Sequence, residues 1–160
     1  MELQITKSRI AIRTMNTPKA IGYCAIATLL ALYVVGAVSN GVLRHTVQTL
    51  PLWFPIVLGL RQSEIAKWVS LPCFMIWLLL MTLIWLFLLG CAKVISGHFT
   101  PIEVIMTLVV GAASLTGLLI GFRWQTSLSW NKALFTTVMF AVLQLAAIRI
   151  SFLPSLAKDR

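Results

Sequence analysis

The residues able to do chemistry in this chain are few, and their spacing suits little of it. His45 and His98 are the only imidazoles, Cys24, Cys73 and Cys91 the only thiols, and Glu2, Glu64, Glu103 and Asp159 the only carboxylates. No pair of cysteines forms a CxxC unit, and the sequence contains no HExxH, no GxSxG and no phosphate-binding glycine loop. Ser39 and Ser114 have no base beside them in the sequence. The chain is therefore expected to hold no cofactor and no metal, and to be a non-enzymatic protein more readily than an enzyme.

The elements that must position these residues follow from composition. Of 160 residues 59% are apolar and 11% charged, where soluble domains average about 45–50% and about 25%. Thirteen Lys and Arg against four Asp and Glu give a formal charge of +9. In a soluble protein that excess would point to a nucleic acid. Here the apolar fraction makes the bilayer the relevant solvent, and no nucleic-acid partner is expected.

Four runs are long enough to cross a hydrocarbon core, which takes about 20 helical residues. They cover 20–42, 71–92, 102–122 and 133–152, carry no acidic residue but Glu103, and lack the alternation of a barrel strand. The expected fold is a single domain over 1–160: an all-α, antiparallel bundle of four transmembrane helices, with an interfacial or re-entrant segment at about 50–68. Thr100-Pro101-Ile102-Glu103 has the form of a helix start with a capping box. The first run is read as an uncleaved signal anchor, although Ala37-Val38-Ser39 imitates a cleavage site.

Four crossings put both termini on one side. With that side inside, the inner segments hold Lys7, Arg9, Arg13, Lys19, Lys93, Arg149, Lys158 and Arg160, against Arg44, Arg61, Lys67, Arg123 and Lys132 outside. This bias favours cytoplasmic N- and C-termini in a bacterial inner membrane, with anionic phospholipids as partners. Trp53, Trp68, Trp124 and Trp130 would then lie at the outer face. His45 and His98 would stand at opposite ends of the bundle, about 30 Å apart, so one chain could not clamp a single haem or zinc between them. Cys24 and Cys91 would be the one thiol pair at a common face, though small apolar packing is the simpler role for all three cysteines. A coupled transporter usually keeps an ionisable group at membrane depth, and none is expected there.

Between the first two spans, Leu50-Pro51-Leu52-Trp53-Phe54-Pro55 is apolar, short and broken by two prolines. It reads as a lid in or near the interface, flanked by donors. Arg44, His45, Gln48, Trp53 and Arg61 are accordingly the candidate ligand or partner contacts at an outer mouth. Tyr33, Gly36, Asn40 and Arg44 extend a polar stripe toward it. Deeper, Gln144 requires hydrogen-bond partners in hydrocarbon, and counting along the spans places Thr28 and Trp85 at its level as an intramembrane clasp, with Thr107 also in reach. Ala113, Gly117 and Gly121 recur every four residues as a helix-packing face.

Three functions compete on this pattern. The leading one is a subunit or assembly factor of a larger inner-membrane complex, whose partners would be other integral membrane proteins or copies of itself. The second is an oligomeric channel or carrier for a small solute. The third is a membrane enzyme acting on a lipid or quinone through Arg44, His45 and Arg61.

Overall fold

The computed structural model describes residues 2–92 and 99–153, with side chains from Thr17 onward. Every regular element among them is helical: α1 (Glu2–Val38), α2 (Val42–Thr49), a 3-10 turn (Leu50–Leu52), α3 (Trp53–Leu60), α4 (Ile65–Leu88), α5 (Pro101–Arg123) and α6 (Trp130–Ser151). Four helices are long and apolar enough to cross a membrane: α1 from Thr17, α4, α5 and α6. The protein is an all-α, four-helix, multi-pass membrane bundle.

Local chemistry sets the helix ends. At α5 the capping box forms: Thr100 Oγ1 accepts from the Glu103 amide at 3.3 Å, and the Glu103 carboxylate accepts from the Thr100 amide at 2.7 Å. Pro101 occupies the first helical position, where its missing N–H costs nothing. The α4 helix stops at Gly90, whose φ of +74° suits a residue without Cβ. There the Cys91 amide donates to Leu86 and the Gly90 amide to Phe87, the paired bonds of a Schellman ending. The α1 helix ends at Val38, four residues before the expected limit, and Asn40 turns the chain with φ +53°. Just before the second span, Ser63 Oγ accepts weakly from the Ile65 amide at 3.4 Å. That span begins at Ile65 rather than Leu71.

The segment between α1 and α4 follows a course that hydropathy did not indicate. At its start, a Cβ added to Gly36 would lie 3.1 Å from His45, so α2 folds back on the end of α1. At its finish, a Cβ on Gly59 would lie 2.7 Å from the Pro18 carbonyl and 2.8 Å from the Gly22 amide nitrogen. Between those contacts the chain has run the whole length of the α1 span. The nineteen residues of Val42–Leu60 cover about 28 Å as helix, close to the thickness of a hydrocarbon core. The segment is thus an element that crosses the bundle from end to end, broken at Leu50–Leu52, where the sequence pattern suggested a lid in the interface.

Directions follow from this. The near end of the bundle, where α1 enters at Thr17, also holds the 61–64 turn, the start of α4, the end of α5 and the start of α6. There Lys67 donates to the Trp124 carbonyl, Glu64 accepts from Ser127 at 2.7 Å, and Trp68 meets Trp130 edge to face at 6.5 Å. The far end holds α2, the start of α5 and the end of α6, where the Arg44 guanidinium lies 4.0 Å from the Phe152 ring centre. Thus α1, α4 and α6 run one way, while the broken element and α5 run the other. Thr17 and Leu153 stand at opposite ends of the bundle, whereas a strict four-crossing path would bring them together.

Aromatic side chains fill the gaps left by glycines. Phe74 of α4 packs on Gly117 and Trp85 on Gly111, each closer than a Cβ would permit, and Leu71 rests on Gly121. Ile21, Ala25, Leu52, Ala66, Cys73, Phe74 and Val110 form a fully buried centre.

Candidate functional site

The break in the crossing element is where polar chemistry collects. Pro51 has no N–H, so it can donate neither to the Val47 carbonyl, as an α-helix requires, nor to the Gln48 carbonyl, as a 3-10 turn requires. Val47 takes the amide of Leu50 instead. Gln48 is served from another helix: Gln144 Nε2 of α6 donates to its carbonyl at 2.9 Å. A neighbouring side chain thereby satisfies backbone that a proline has left open, as hydrocarbon surroundings demand.

The arrangement continues toward the far end. The Gln48 side chain donates to Ser151 Oγ at 2.8 Å, and Ser151 donates to the Ile148 carbonyl at 2.6 Å. Thr49 Oγ1 donates back to the His45 carbonyl at 2.9 Å. Gln144, Thr49 and Ser151 are wholly buried and Gln48 is 7% exposed. Beyond them Arg44 and Phe152 close the far end, while on the near side the Phe54 and Phe140 rings meet edge to face at 5.1 Å. A polar column thus runs from the far end to mid-depth and stops on an aromatic floor.

One end of that column is unsatisfied. With its Nε2 committed to the Gln48 carbonyl, Gln144 turns Oε1 into the interior, where it is buried and has no hydrogen-bond partner. Trp77 Nε1 and Ser114 Oγ are in the same condition. A buried unpaired polar group costs about 1–3 kcal/mol.

The residues expected at an outer mouth divide among different places. Arg44 and His45 lie at the far end, His45 with Nδ1 donating to the Gly41 carbonyl at 2.9 Å. Gln48 turns inward, Trp53 is 47% exposed on the flank of α3, and Arg61 is at the near end as the cap of α3. They form no single cluster, because the segment carrying them crosses the bundle. The Tyr33-to-Arg44 stripe is interrupted for the same reason: α1 has ended before Asn40. The Glu103 carboxylate is near enough to act electrostatically on His45, although the two were expected at opposite faces. His98 lies outside the described residues.

Nor do Thr28, Trp85 and Gln144 meet. Thr28 Oγ1 bonds to the Cys24 carbonyl at 2.9 Å, and Trp85 Nε1 donates to Thr107 Oγ1 at 3.0 Å. Their levels were counted from ends assumed to coincide. The start of α1 belongs to the near end, however, and the ends of α4 and α6 to the far end, which parts Thr28 from the other two, while Trp85 turns to α5 and Gln144 to α2. Cys24 and Cys91 are parted by the same displacement, and all three cysteines are free thiols. Ala113, Gly117 and Gly121 lie on α5, with Gly117 and Gly121 turned to α4 and Ala113 half-buried. Among the described residues no group of three or more His, Cys, Asp or Glu could hold a metal.

Thr49, Ser151 and Trp77 are site residues that sequence reasoning missed. Ser151 had a signal, since it lies seven residues after Gln144 and shares its helix face. An apolar groove of about 510 Å³ between α4 and α5, lined by Met75, Leu79, Leu118 and Phe122 among others, faces outward and suits an acyl chain rather than a polar ligand. Compared with known families, curated proteins and solved structures, the chain matches none.

Proposed function

We propose that the protein binds a small solute at mid-membrane depth and serves as a channel or carrier for it. The observation that supports this is the crossing element broken at Pro51 and held by Gln144, with the free acceptor Gln144 Oε1 beside the break. Broken helices at mid-depth are a recurrent way to present polar groups to a solute within a membrane. An unbroken apolar helix would pack the bundle at lower cost.

A role as subunit or assembly factor of a larger complex draws on the apolar exterior and on the glycine-lined contacts. Any bundle in lipid has such an exterior, and Gly117 and Gly121 are used within this chain. The enzyme reading required Arg44, His45 and Arg61 at one mouth, and Arg61 is at the other end.

Charge suggests an orientation. Of the cations with described side chains, Lys19, Arg61, Lys67, Arg123 and Lys132 lie toward the near end and Arg44 and Arg149 toward the far end. The near end therefore faces the cytoplasm in this proposal, against an anionic leaflet. The N-terminal side of α1 lies inside, and the far end of α6 emerges outside.

Reconstitution tests the function. Vesicles containing the purified protein should re-equilibrate faster than protein-free vesicles after an osmotic step with at least one member of a panel of neutral and ionic solutes, followed by stopped-flow light scattering. Identical rates across the whole panel would refute it.

A further inference from the structure

Three polar atoms without partners, on three different helices, fall at one depth. Gly117 of α5 receives the Phe74 ring of α4, and these helices are antiparallel. Three residues onward from Phe74 is Trp77, and three residues back from Gly117 is Ser114. Both steps lead about 4.5 Å toward the far end, so Trp77 and Ser114 share a level. The third atom is on α6, which runs parallel to α4. Thr137 Oγ1 donates to the Trp68 carbonyl at 3.3 Å, which sets the register. From there Gln144 is about 10 Å farther along and Trp77 about 13 Å. Trp77 Nε1, Ser114 Oγ and Gln144 Oε1 therefore lie within about 3 Å of one depth, each buried and each without a partner.

The three atoms differ in chemistry. Indole N–H only donates, an amide oxygen only accepts, and a hydroxyl does both. No described carboxylate is at this depth: Glu64 bonds Ser127 at the near end and Glu103 caps α5 at the far end. Such a layer has nothing to neutralise a cation. Its amide oxygen opposes an anion, and the Arg44 guanidinium at the far end opposes a cation's approach.

We infer that Trp77, Ser114 and Gln144 form a binding layer for a small uncharged molecule carrying both a hydrogen-bond donor and an acceptor, the chemistry shared by water, polyols and urea. The inference rests on the solute-binding function proposed above and names the class of solute. Trp77 Nε1 donates to the molecule's oxygen, Gln144 Oε1 accepts from its O–H or N–H, and Ser114 adapts to either. Each contact satisfies a group that otherwise bears a desolvation cost.

The test uses vesicles containing the full chain and four challenges: sucrose to read water movement, glycerol and urea to read solute movement, and potassium chloride to read ion movement. Water, glycerol or urea should equilibrate at least threefold faster than in protein-free vesicles, with ion movement unchanged. The accelerated arm identifies the source of the donor. Ser114→Ala removes a hydrogen-bonding atom that has no partner within the protein, so it should lower the accelerated rate at least threefold at an unchanged melting temperature. Trp77→Phe should lower the rate as much and also lower the melting temperature, because it trims a buried core ring. Gln144→Leu should do the same to the rate and also lower the melting temperature, because it strips the Gln48 carbonyl of its donor. Acceleration that Trp77→Phe and Ser114→Ala leave intact would overturn the layer. Acceleration of ions alone would overturn the uncharged class while leaving a channel in place, and no acceleration of any kind would overturn both.

Discussion

Gly59 and Gly22 touch backbone to backbone: a Cβ on Gly59 would stand 2.8 Å from the Gly22 amide nitrogen and 2.9 Å from its Cα. The contact joins the last turn of α3 to the first membrane turns of α1. It thereby fixes the return of the 42–60 segment along the full span, and with it the directions of the later helices.

Replacing Gly59 with alanine should therefore destabilise the bundle. The atoms in the way are main-chain atoms that no rotamer change can move, so overpacking should cost about 1–3 kcal/mol. Gly22→Ala is the control. Its Cβ would meet the Leu60 nitrogen at 3.3 Å, and the helix gains about 0.5–1 kcal/mol from losing a glycine, so the net effect should be small. Thermal unfolding in detergent, monitored by circular dichroism, separates the two; equal melting temperatures for both variants would remove the contact from the account.

The crossing also predicts sidedness. A cysteine at position 39, after α1, and one at position 61, after α3, should react with a membrane-impermeant maleimide from opposite faces of a sealed vesicle, while native Cys91 should label with position 39. Cys73 is fully buried and should stay unlabelled. Labelling of positions 39 and 61 from the same face would return the 42–60 segment to the interface.

These contrasts show where sequence reasoning reached and where it stopped. The start of α5 was legible because a capping box is made by residues three apart, Thr100 and Glu103, whatever the rest of the chain does. The long apolar runs were legible because hydrocarbon imposes a length. The direction of α4 relative to α1 was not, since hydropathy carries no sign along a helix and Pro51 and Pro55 divided the intervening crossing into pieces too short to register. Once that crossing was missed, depths counted from the start of α1, for Thr28 and Cys24, and depths counted from the ends of α4 and α6, for Trp85, Cys91 and Gln144, were referred to one common end although they belong to opposite ends. Gln144 stood out as needing a partner, but the partner is a main-chain carbonyl 96 residues away, exposed only because residue 51 is proline.

The terminal motifs of α4 and α5 give local predictions. Thr100→Ala removes the acceptor for the Glu103 amide and should cost about 1 kcal/mol. Gly90→Ala forces a side chain into the left-handed region and should cost a similar amount, about 1 kcal/mol. Because the two are separate end effects, the double variant should lose the sum of the single losses, measured by reversible unfolding in mixed detergent. A double loss well short of that sum would show the two ends to be coupled.

The strongest prediction joins Pro51 to Gln144. Gln144→Leu leaves the Gln48 carbonyl without its donor in a buried place, at a cost of about 1–3 kcal/mol. Pro51→Ala restores an N–H at the break, able to serve the Val47 carbonyl in α geometry or the Gln48 carbonyl in 3-10 geometry. In the protein with Gln144 intact that N–H competes for an acceptor already served. In the Gln144→Leu background it supplies the bond the amide used to make. The two substitutions should therefore be non-additive, the double variant recovering about 0.5–3 kcal/mol relative to the sum of the singles. Solute movement should not recover with stability, because the healed helix lacks both the break and the Gln144 oxygen beside it. Strict additivity in the unfolding cycle would mean that Gln144 is not held by the opening that Pro51 creates.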